Sequence, residues 1–275
     1  LFGMQDLILA DYLSHQSLLD ACRLSGAEIV KFKHNDMEDL EKKLQEADPG
    51  QRKVIVTDAV FSMDGDMAPV PAIVMLARAY GAMTFLDEAH SLGVLGRTGR
   101  GIDEHFDLAP DDIDILMGTL SKAVPSSGGY VTGSREMISF LKHSSNPYIF
   151  SAALSPAETA AALKALEILK EEGSWRSGSL REKAHYFQKE LIRLGFPVLP
   201  SESAIVSILT GDDGTTQQMA RWMNDRAVFV CPVLFPAVPR NMSRIRNCIM
   251  ANHTREQLDY VLSCYEEAGK SLGIL

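Results

Sequence analysis

The sequence has no run of apolar residues approaching the ~20 needed to cross a bilayer, and it does not open with the basic segment and apolar core of a secretory leader. Its four cysteines, Cys22, Cys231, Cys248 and Cys264, form no C-x-x-C pair. That speaks against structural zinc or a disulfide framework and for buried free thiols in a reducing compartment, so a cytoplasmic protein is expected. Basic charge is also scarce: 27 Lys and Arg against 36 Asp and Glu give a net charge of -9. Nucleic-acid surfaces need the opposite balance. There is no phosphate-cradling G-x-x-x-x-G-K-[ST], no internal repeat and no low-complexity tract. What remains is the composition of an ordinary globular enzyme of 275 residues, long enough for one large domain or two modest ones.

Short apolar runs alternate with segments of 3.6-residue period, the signature of an α/β fold with a mainly parallel sheet covered by helices. Strands are expected at residues 7–10, 54–57, 83–86, 113–117 and 130–132. Asn35, with Glu38 three residues later, is placed to cap a helix through Leu44; Pro71 opens another that stops before Gly81, and Gly26 closes one that begins near Gln16. Ser155-Pro156-Ala157-Glu158 combines a hydroxyl cap, a first-turn proline and an acid, and starts a helix expected to end at Glu172, before Gly173. The domain division is drawn there. Residues 1–172 form a large domain and 173–275 a smaller α+β domain, with helices at 180–194 and 254–270 around strands at 204–209, 228–230 and 244–247. Because a strand pattern is already under way at Leu7, an N-terminal portion of a larger protein is expected to precede Leu1.

Two apolar runs deliver chemistry to strand ends. After residues 113–117 comes Gly118-Thr119-Leu120-Ser121-Lys122, which sets a lysine at the end of a buried strand; after residues 83–86 comes Asp87-Glu88-Ala89-His90. In open α/β sheets, ligands collect beyond the carboxyl ends of the strands. A lysine that forms a Schiff base, together with a carboxylate that keeps a pyridine nitrogen protonated, points to pyridoxal 5'-phosphate as the cofactor. His90 is spaced to turn toward the cofactor's phenolic oxygen. Taken alone, Asp87 serves equally well as a helix cap and His90 as a core histidine; the downstream lysine favours the catalytic assignment. Asp-Glu-Ala-His is also the hydrolysis box of DExH-type NTPases, a remote alternative that the missing phosphate loop opposes.

In order along the chain, these segments and nine others resemble the α-oxoamine synthases, pyridoxal phosphate enzymes of fold type I. The further segments are Leu13-Ser14-His15-Gln16-Ser17, His34-Asn35-Asp36-Met37, Val60-Phe61-Ser62-Met63-Asp64-Gly65-Asp66, Gly96-Arg97-Thr98-Gly99-Arg100-Gly101, Ser127-Gly128-Gly129-Tyr130, Pro147-Tyr148-Ile149-Phe150-Ser151, Pro236-Ala237-Val238-Pro239, Arg244-Ile245-Arg246 and His253-Thr254. The resemblance implies an aspartate aminotransferase-like large domain, a smaller C-terminal domain, and a homodimer whose active sites are shared between subunits. It implies decarboxylative condensation of a small α-amino acid with an acyl thioester, from acyl-CoA or an acyl carrier, to give an α-amino ketone.

By the same resemblance His15 stacks on the cofactor ring opposite Asp87, Ser62 and His90 contact its phenolic oxygen, Thr119 holds its phosphate and Lys122 forms the Schiff base. Phe150 and Ser151 reach the partner subunit's phosphate, and Arg246 clamps the amino-acid carboxylate; the strand pattern alone does not separate Arg246 from Arg244. The loop from Pro236 to Pro239 resembles a flap over the substrate. Two departures stand out. Pro125 replaces a glycine usual three residues beyond the lysine, and the family's N-terminal arm and glycine-containing phosphate segment would precede Leu1. An aminotransferase is an alternative that the Phe-Ser-Met-Asp-Gly and Arg-Ile-Arg segments oppose. A non-catalytic partner subunit or an inactive fragment is another, and the retained Lys122 opposes the former.

Overall fold

A computed structural model describes residues 1–275 and divides into two compact units. The first comprises Leu1–Phe61 and Ala68–Gly173. Its sheet contains β1 (Leu7–Asp11), β2 (Glu28–Phe32), β3 (Lys53–Asp58), β4 (Ala82–Asp87), β5 (Ile115–Thr119) and β6 (Gly129–Gly133), in the order β2-β1-β3-β4-β5-β6. The first five strands are parallel, and β6 runs antiparallel to β5. Strands β1 and β3 are buried along their whole length, which is why their sequences read as unbroken apolar runs. β2 was not expected, because Glu28 and Lys31 interrupt its apolar residues; at the sheet edge both side chains stay in water.

On one face, Ile8, Ala10, Val54 and Val56 pack with Leu18, Leu19 and Cys22 of helix α1 (Gln16–Ser25). α1 ends at Gly26, whose φ of 74° is the left-handed conformation a helix stop favours. Helix α2 (Met37–Glu46) is capped by Asp36, whose carboxylate accepts the Asp39 N–H at 2.9 Å. The expected cap, Asn35, instead takes a φ of 53° in the preceding turn, a region that asparagine tolerates. Helix α3 (Val70–Tyr80) carries Pro71 in its first turn and stops at Gly81. Three short helices follow, α4 (Ile102–His105), α5 (Arg135–Ser144) and α6 (Asn146–Phe150), the last two without a buried residue.

Helix α7 (Pro156–Leu194) corrects the sequence reading most clearly. Its start is the expected capping box: the Glu158 N–H donates to Ser155 Oγ and the Ser155 N–H donates to the Glu158 carboxylate. It does not stop at Gly173. A Cβ at Gly173 would collide with the Thr98 carbonyl, so this glycine permits close approach of another backbone segment, and the helix continues through the segment expected to be separate.

The second unit is Ser62–Met67 together with Ser174–Leu275. Its sheet, β7 (Ile205–Gly211), β8 (Cys231–Val233) and β9 (Ser243–Cys248), is antiparallel with β9 in the centre. Helix α8 (Asp213–Asn224) escaped the sequence reading because Gly214-Thr215-Thr216 has turn composition; Asp212 caps it through the Thr215 N–H at 2.9 Å. β8 falls later than the expected residues 228–230. Helix α9 (Arg255–Leu272) has the expected Thr254–Gln257 capping box.

Residues 62–67 were assigned to the large domain by sequence; their contacts group them with the C-terminal unit instead. Ser203 Oγ donates to the Gly65 carbonyl at 2.8 Å, Ser207 Oγ to the Met63 carbonyl at 2.8 Å, and Arg246 Nη1 to the Ser62 carbonyl at 3.0 Å. Asp64 pairs with Arg244. Gly65, at φ 89°, leaves no room for a side chain: a Cβ would come within 2.6 Å of the Ile205 carbonyl.

The core of this unit centres on Tyr265, which is fully buried against the rings of Phe187 and Phe196. Its hydroxyl donates to Asn247 Oδ1 at 2.6 Å, and Asn247 Nδ2 donates to the Val206 carbonyl at 3.0 Å, so helix α9 is tied to both β9 and β7. Tyr265→Phe should keep the ring packing but strip a buried oxygen of its donor, at a cost of about 1–3 kcal/mol. The check is denaturant unfolding followed by a probe in the C-terminal unit; an unchanged midpoint would mean that water replaces the lost hydroxyl.

Candidate active site

Three neighbouring parallel strands, β1, β3 and β4, end in an aspartate: Asp11, Asp58 and Asp87. The β3–β4 register sets Asp58 directly beside Asp87. Asp11 is fully buried and committed to loop geometry. It accepts the Leu13 N–H at 2.8 Å and the Asn35 N–H at 2.9 Å, and His34 Nδ1 lies 3.0 Å away. Asp58 Oδ2 accepts the His15 N–H at 2.8 Å. His15 caps α1 through Nδ1, which takes the Ser17 N–H, and leaves its ring exposed. The turn that presents His15 is thus anchored by two of the three acids.

Asp87 is 6 % exposed. Its Oδ1 accepts the Ala89 N–H at 2.8 Å. Burial raises the Asp87 pKa, against the Ala89 hydrogen bond and the charges of Lys122 and His15, which pull it back. Asp58 is pushed up to about 7 by burial and by the carboxylates of Asp87 and Asp11, with the His15 N–H and Lys122 opposing. Two adjacent acids thus sit in different surroundings: Asp58 is pushed into the neutral range, while the charges of Lys122 and His15 favour the ionised form of Asp87.

Lys122 is exposed on the loop that joins β5 to β6. The loop is closed by the Leu120 N–H to the Gly128 carbonyl at 2.9 Å and the Ser126 N–H to the Leu120 carbonyl at 2.8 Å. Pro125 is exposed between these bonds and interrupts neither. Thr119 Oγ1, at the end of β5, lies 2.8 Å from Ser121 Oγ. His90 is half-buried in the turn after β4. In the second unit, Ser62 and Arg246 meet through the bond already described, and Arg246 Nε is buried without a hydrogen-bond partner. Arg244, two residues earlier, differs: its guanidinium pairs with Asp64, its Nε donates to the Met242 carbonyl at 3.0 Å, and burial lowers its pKa. The structure thereby separates two arginines that the strand pattern left equivalent. Phe150, at the end of α6, is 82 % exposed, and Ser151 follows it at the surface.

These residues fit pyridoxal phosphate. Asp87 offers a buried carboxylate to a ring N–H, Lys122 is an accessible amine whose charge reaches that carboxylate, and Thr119 adds a hydroxyl at the adjacent strand end. Asp58 was missed by the sequence reading, although Val54-Ile55-Val56-Thr57-Asp58 carries the same signal as the run ending in Asp87: an apolar strand closing on an acid. Tyr130 and Glu88, which share a 2.6 Å hydrogen bond, were quoted within motifs and given no role.

Comparison with known proteins agrees over the whole chain. Residues 1–264 match the family model for aminotransferase class I and II. The 8-amino-7-oxononanoate synthase of Thermoanaerobacter pseudethanolicus is 45% identical over 271 residues, covering 98% of this chain and 68% of that enzyme, and that of Thermosipho melanesiensis is 46% identical over 271 residues, covering 98% and 69%. Among solved structures, a serine palmitoyltransferase with its PLP internal aldimine superposes with a TM-score of 0.95 at 34% identity, over 100% of this chain and 69% of that one. An 8-amino-7-oxononanoate synthase from Francisella tularensis gives 0.83 at 25%, over 98% and 77%. No helix is long and apolar enough to cross a membrane. With the acid, the lysine and the fold in agreement, the chain belongs to the aminotransferase class I and II family and, within it, to the α-oxoamine synthases, pyridoxal phosphate-dependent acyltransferases of fold type I that condense an amino acid with an acyl thioester.

Proposed function

We propose that this chain makes 8-amino-7-oxononanoate from alanine and a heptanedioyl thioester. The supporting observation is its 45–46% identity to two synthases named for that product, each over 98% of this chain. The product name fixes the substrates by carbon count. An amino-bearing carbon followed by a methyl group is what alanine leaves after losing its carboxylate, and the remaining seven carbons are an acyl group ending in a carboxylate. One carbon–carbon bond forms between the alanine α-carbon and the acyl carbonyl, the carbon–sulfur bond breaks to release the thiol, and the alanine carboxylate departs as carbon dioxide.

When bound, pyridoxal phosphate supplies an electron sink for bond breaking at the amino-acid α-carbon. Asp87, whose ionised form the charges of Lys122 and His15 favour, would hold the proton on the ring nitrogen. Lys122 holds the cofactor and then, as a free amine, takes the α-proton. His15 covers one face of the ring, held by the Asp58 bond to its N–H. Thr119 binds the phosphate, and Ser62 and His90 the phenolic oxygen. Arg246 binds the amino-acid carboxylate, a two-pronged task suited to a guanidinium with an unused buried N–H. A second copy of the chain completes the site; the exposed strip Tyr148, Ile149, Phe150 supports that reading, with Phe150 and Ser151 reaching the partner's phosphate.

The reading is tested by offering the holoprotein alanine, glycine or serine with heptanedioyl-CoA, a heptanedioyl carrier protein or palmitoyl-CoA, and measuring thiol release and product mass. Alanine with a heptanedioyl donor should dominate; preference for serine with palmitoyl-CoA would overturn it.

Asp87→Asn should retain cofactor but lose turnover on the order of 100-fold, the equivalent of ~3 kcal/mol of transition-state stabilisation. Near-normal kcat would make Asp87 structural. The neighbouring acid has a different signature. The Asp58 pKa stands at about 7 in the folded chain against 3.8 ordinarily, so the folded state binds the extra proton between those values. Stability should therefore fall as pH rises through that window, and Asp58→Asn should flatten the fall in thermal midpoints. An unchanged slope would mean that Asp58 is ionised when folded.

Arg246→Lys keeps a positive charge but loses the fork, so the alanine KM should rise at least about 10-fold while the thioester KM changes little. Equal changes in both would remove the carboxylate assignment.

A further inference from the structure

Glu88 follows Asp87 directly, yet none of the chemistry above uses it. It is 3 % exposed, its Oε1 accepts the Tyr130 hydroxyl at 2.6 Å, and Ser91 Oγ lies 3.3 Å from Oε2. A carboxylate so deeply buried is tolerated only when its hydrogen bonds are supplied. Two glycines make the arrangement possible. At Gly101, with φ 118°, a Cβ would collide with Glu88 Oε2; at Gly118 a Cβ would come within 2.5 Å of Tyr130 Cζ. The Tyr130 ring therefore lies across the bare Cα of its own cross-strand partner, Gly118, on its way to Glu88. The span from β4 to β6 is two strand spacings, about 10 Å, and needs a long side chain passing over a residue without one.

This bridge frames Lys122. Gly118 immediately precedes Thr119, and the loop carrying Lys122 leaves β5 there and re-enters the sheet at Gly129, beside Tyr130. At that return the two strands are too close for a side chain: a Cβ on Gly129 would lie 2.7 Å from the Gly118 carbonyl. Burial raises the Tyr130 pKa, and so does Glu88, so the hydroxyl stays protonated and remains the donor.

We propose that Glu88 and Tyr130 are positioning residues for the reaction: their hydrogen bond locks the end of β4, which carries Asp87, to the base of the Lys122 loop, and so fixes where the lysine amine stands relative to that acid. The inference rests on the reading of Lys122 and Asp87 as the cofactor-binding pair. It assigns to Tyr130 a role that acts wholly through Lys122.

Tyr130→Phe removes one oxygen and leaves the ring over Gly118; Glu88→Gln keeps an acceptor. In holoprotein reduced with borohydride, the pyridoxyl label should stay on Lys122 in both variants, at the parent's stoichiometry. Tyr130→Phe should lower kcat between about 10- and 100-fold, as a small misplacement of a reacting group does, with a smaller change in the alanine KM. It should also move the pH midpoint of the bound cofactor's visible absorbance. Glu88→Gln should fall between parent and Tyr130→Phe in both readouts, and the double variant should be no worse than the worse single one. If Tyr130→Phe keeps the parent's midpoint and kcat and only melts earlier, the pair is structural and the proposal is overturned while the assignment of Lys122 stands. A label on a different lysine in the parent overturns both.

Discussion

The site depends on burying carboxylates side by side. Parallel strands deliver every side chain at their carboxyl ends to one edge of the sheet, and here β1, β3 and β4 each deliver an aspartate. Three negative charges at adjacent positions repel one another, and burial adds to the cost. The fold answers with three different environments. Asp11 is met by backbone N–H groups and His34, Asp58 is pushed up to about 7, and Asp87 is compensated by the charges of Lys122 and His15. The charges of Lys122 and His15 favour the ionised form of Asp87, the polarity that a protonated ring needs.

A second constraint acts in the C-terminal unit. The segment Ser62–Met67 leaves one unit to join the other, and its backbone is held by Ser203, Ser207 and Arg246 while Asp64 engages Arg244. Two arginines of one strand thereby acquire different surroundings. Arg244 is spent on an internal ion pair that leaves it 3 % exposed; Arg246 gives one N–H to a carbonyl and retains another. Alternation along β9 predicts a shared face and nothing more, because Asp64, the residue that breaks the tie, lies 180 positions upstream of Arg244.

Much of the first unit was legible in the sequence because β1 and β3 are buried along their whole length and α1 and α3 end at left-handed glycines. The site residues at strand ends were legible for the same reason: an apolar run ending in Asp or followed by Lys is a local signal. What was illegible depended on distant partners. Gly173 looks like a helix stop, but its lack of a side chain answers to Thr98. Asn35 looks like a cap, but the cap is Asp36 because Asn35 gives its N–H to Asp11. The residues 62–67 look like part of the segment that contains them, and only the serines and arginines of the C-terminal sheet pull them out of it.

Asp87 and Glu88 carry the same argument to its end. They are consecutive, both carboxylates and both buried, and composition gives no basis for distinguishing them. Their neighbours do. Asp87 takes one backbone N–H and feels the charges of Lys122 and His15, which favour its ionised form. Glu88 is pushed up to about 7 by burial and by the charge of Asp103, against the hydrogen bonds of Tyr130 and Ser91, which engage both of its oxygens. A carboxylate held ionised by neighbouring cations is equipped to meet a positive ligand group, whereas one whose oxygens both meet protein hydroxyls is equipped to hold other residues still. The two consecutive acids of the strand end are therefore told apart by the neighbours that the fold gives each.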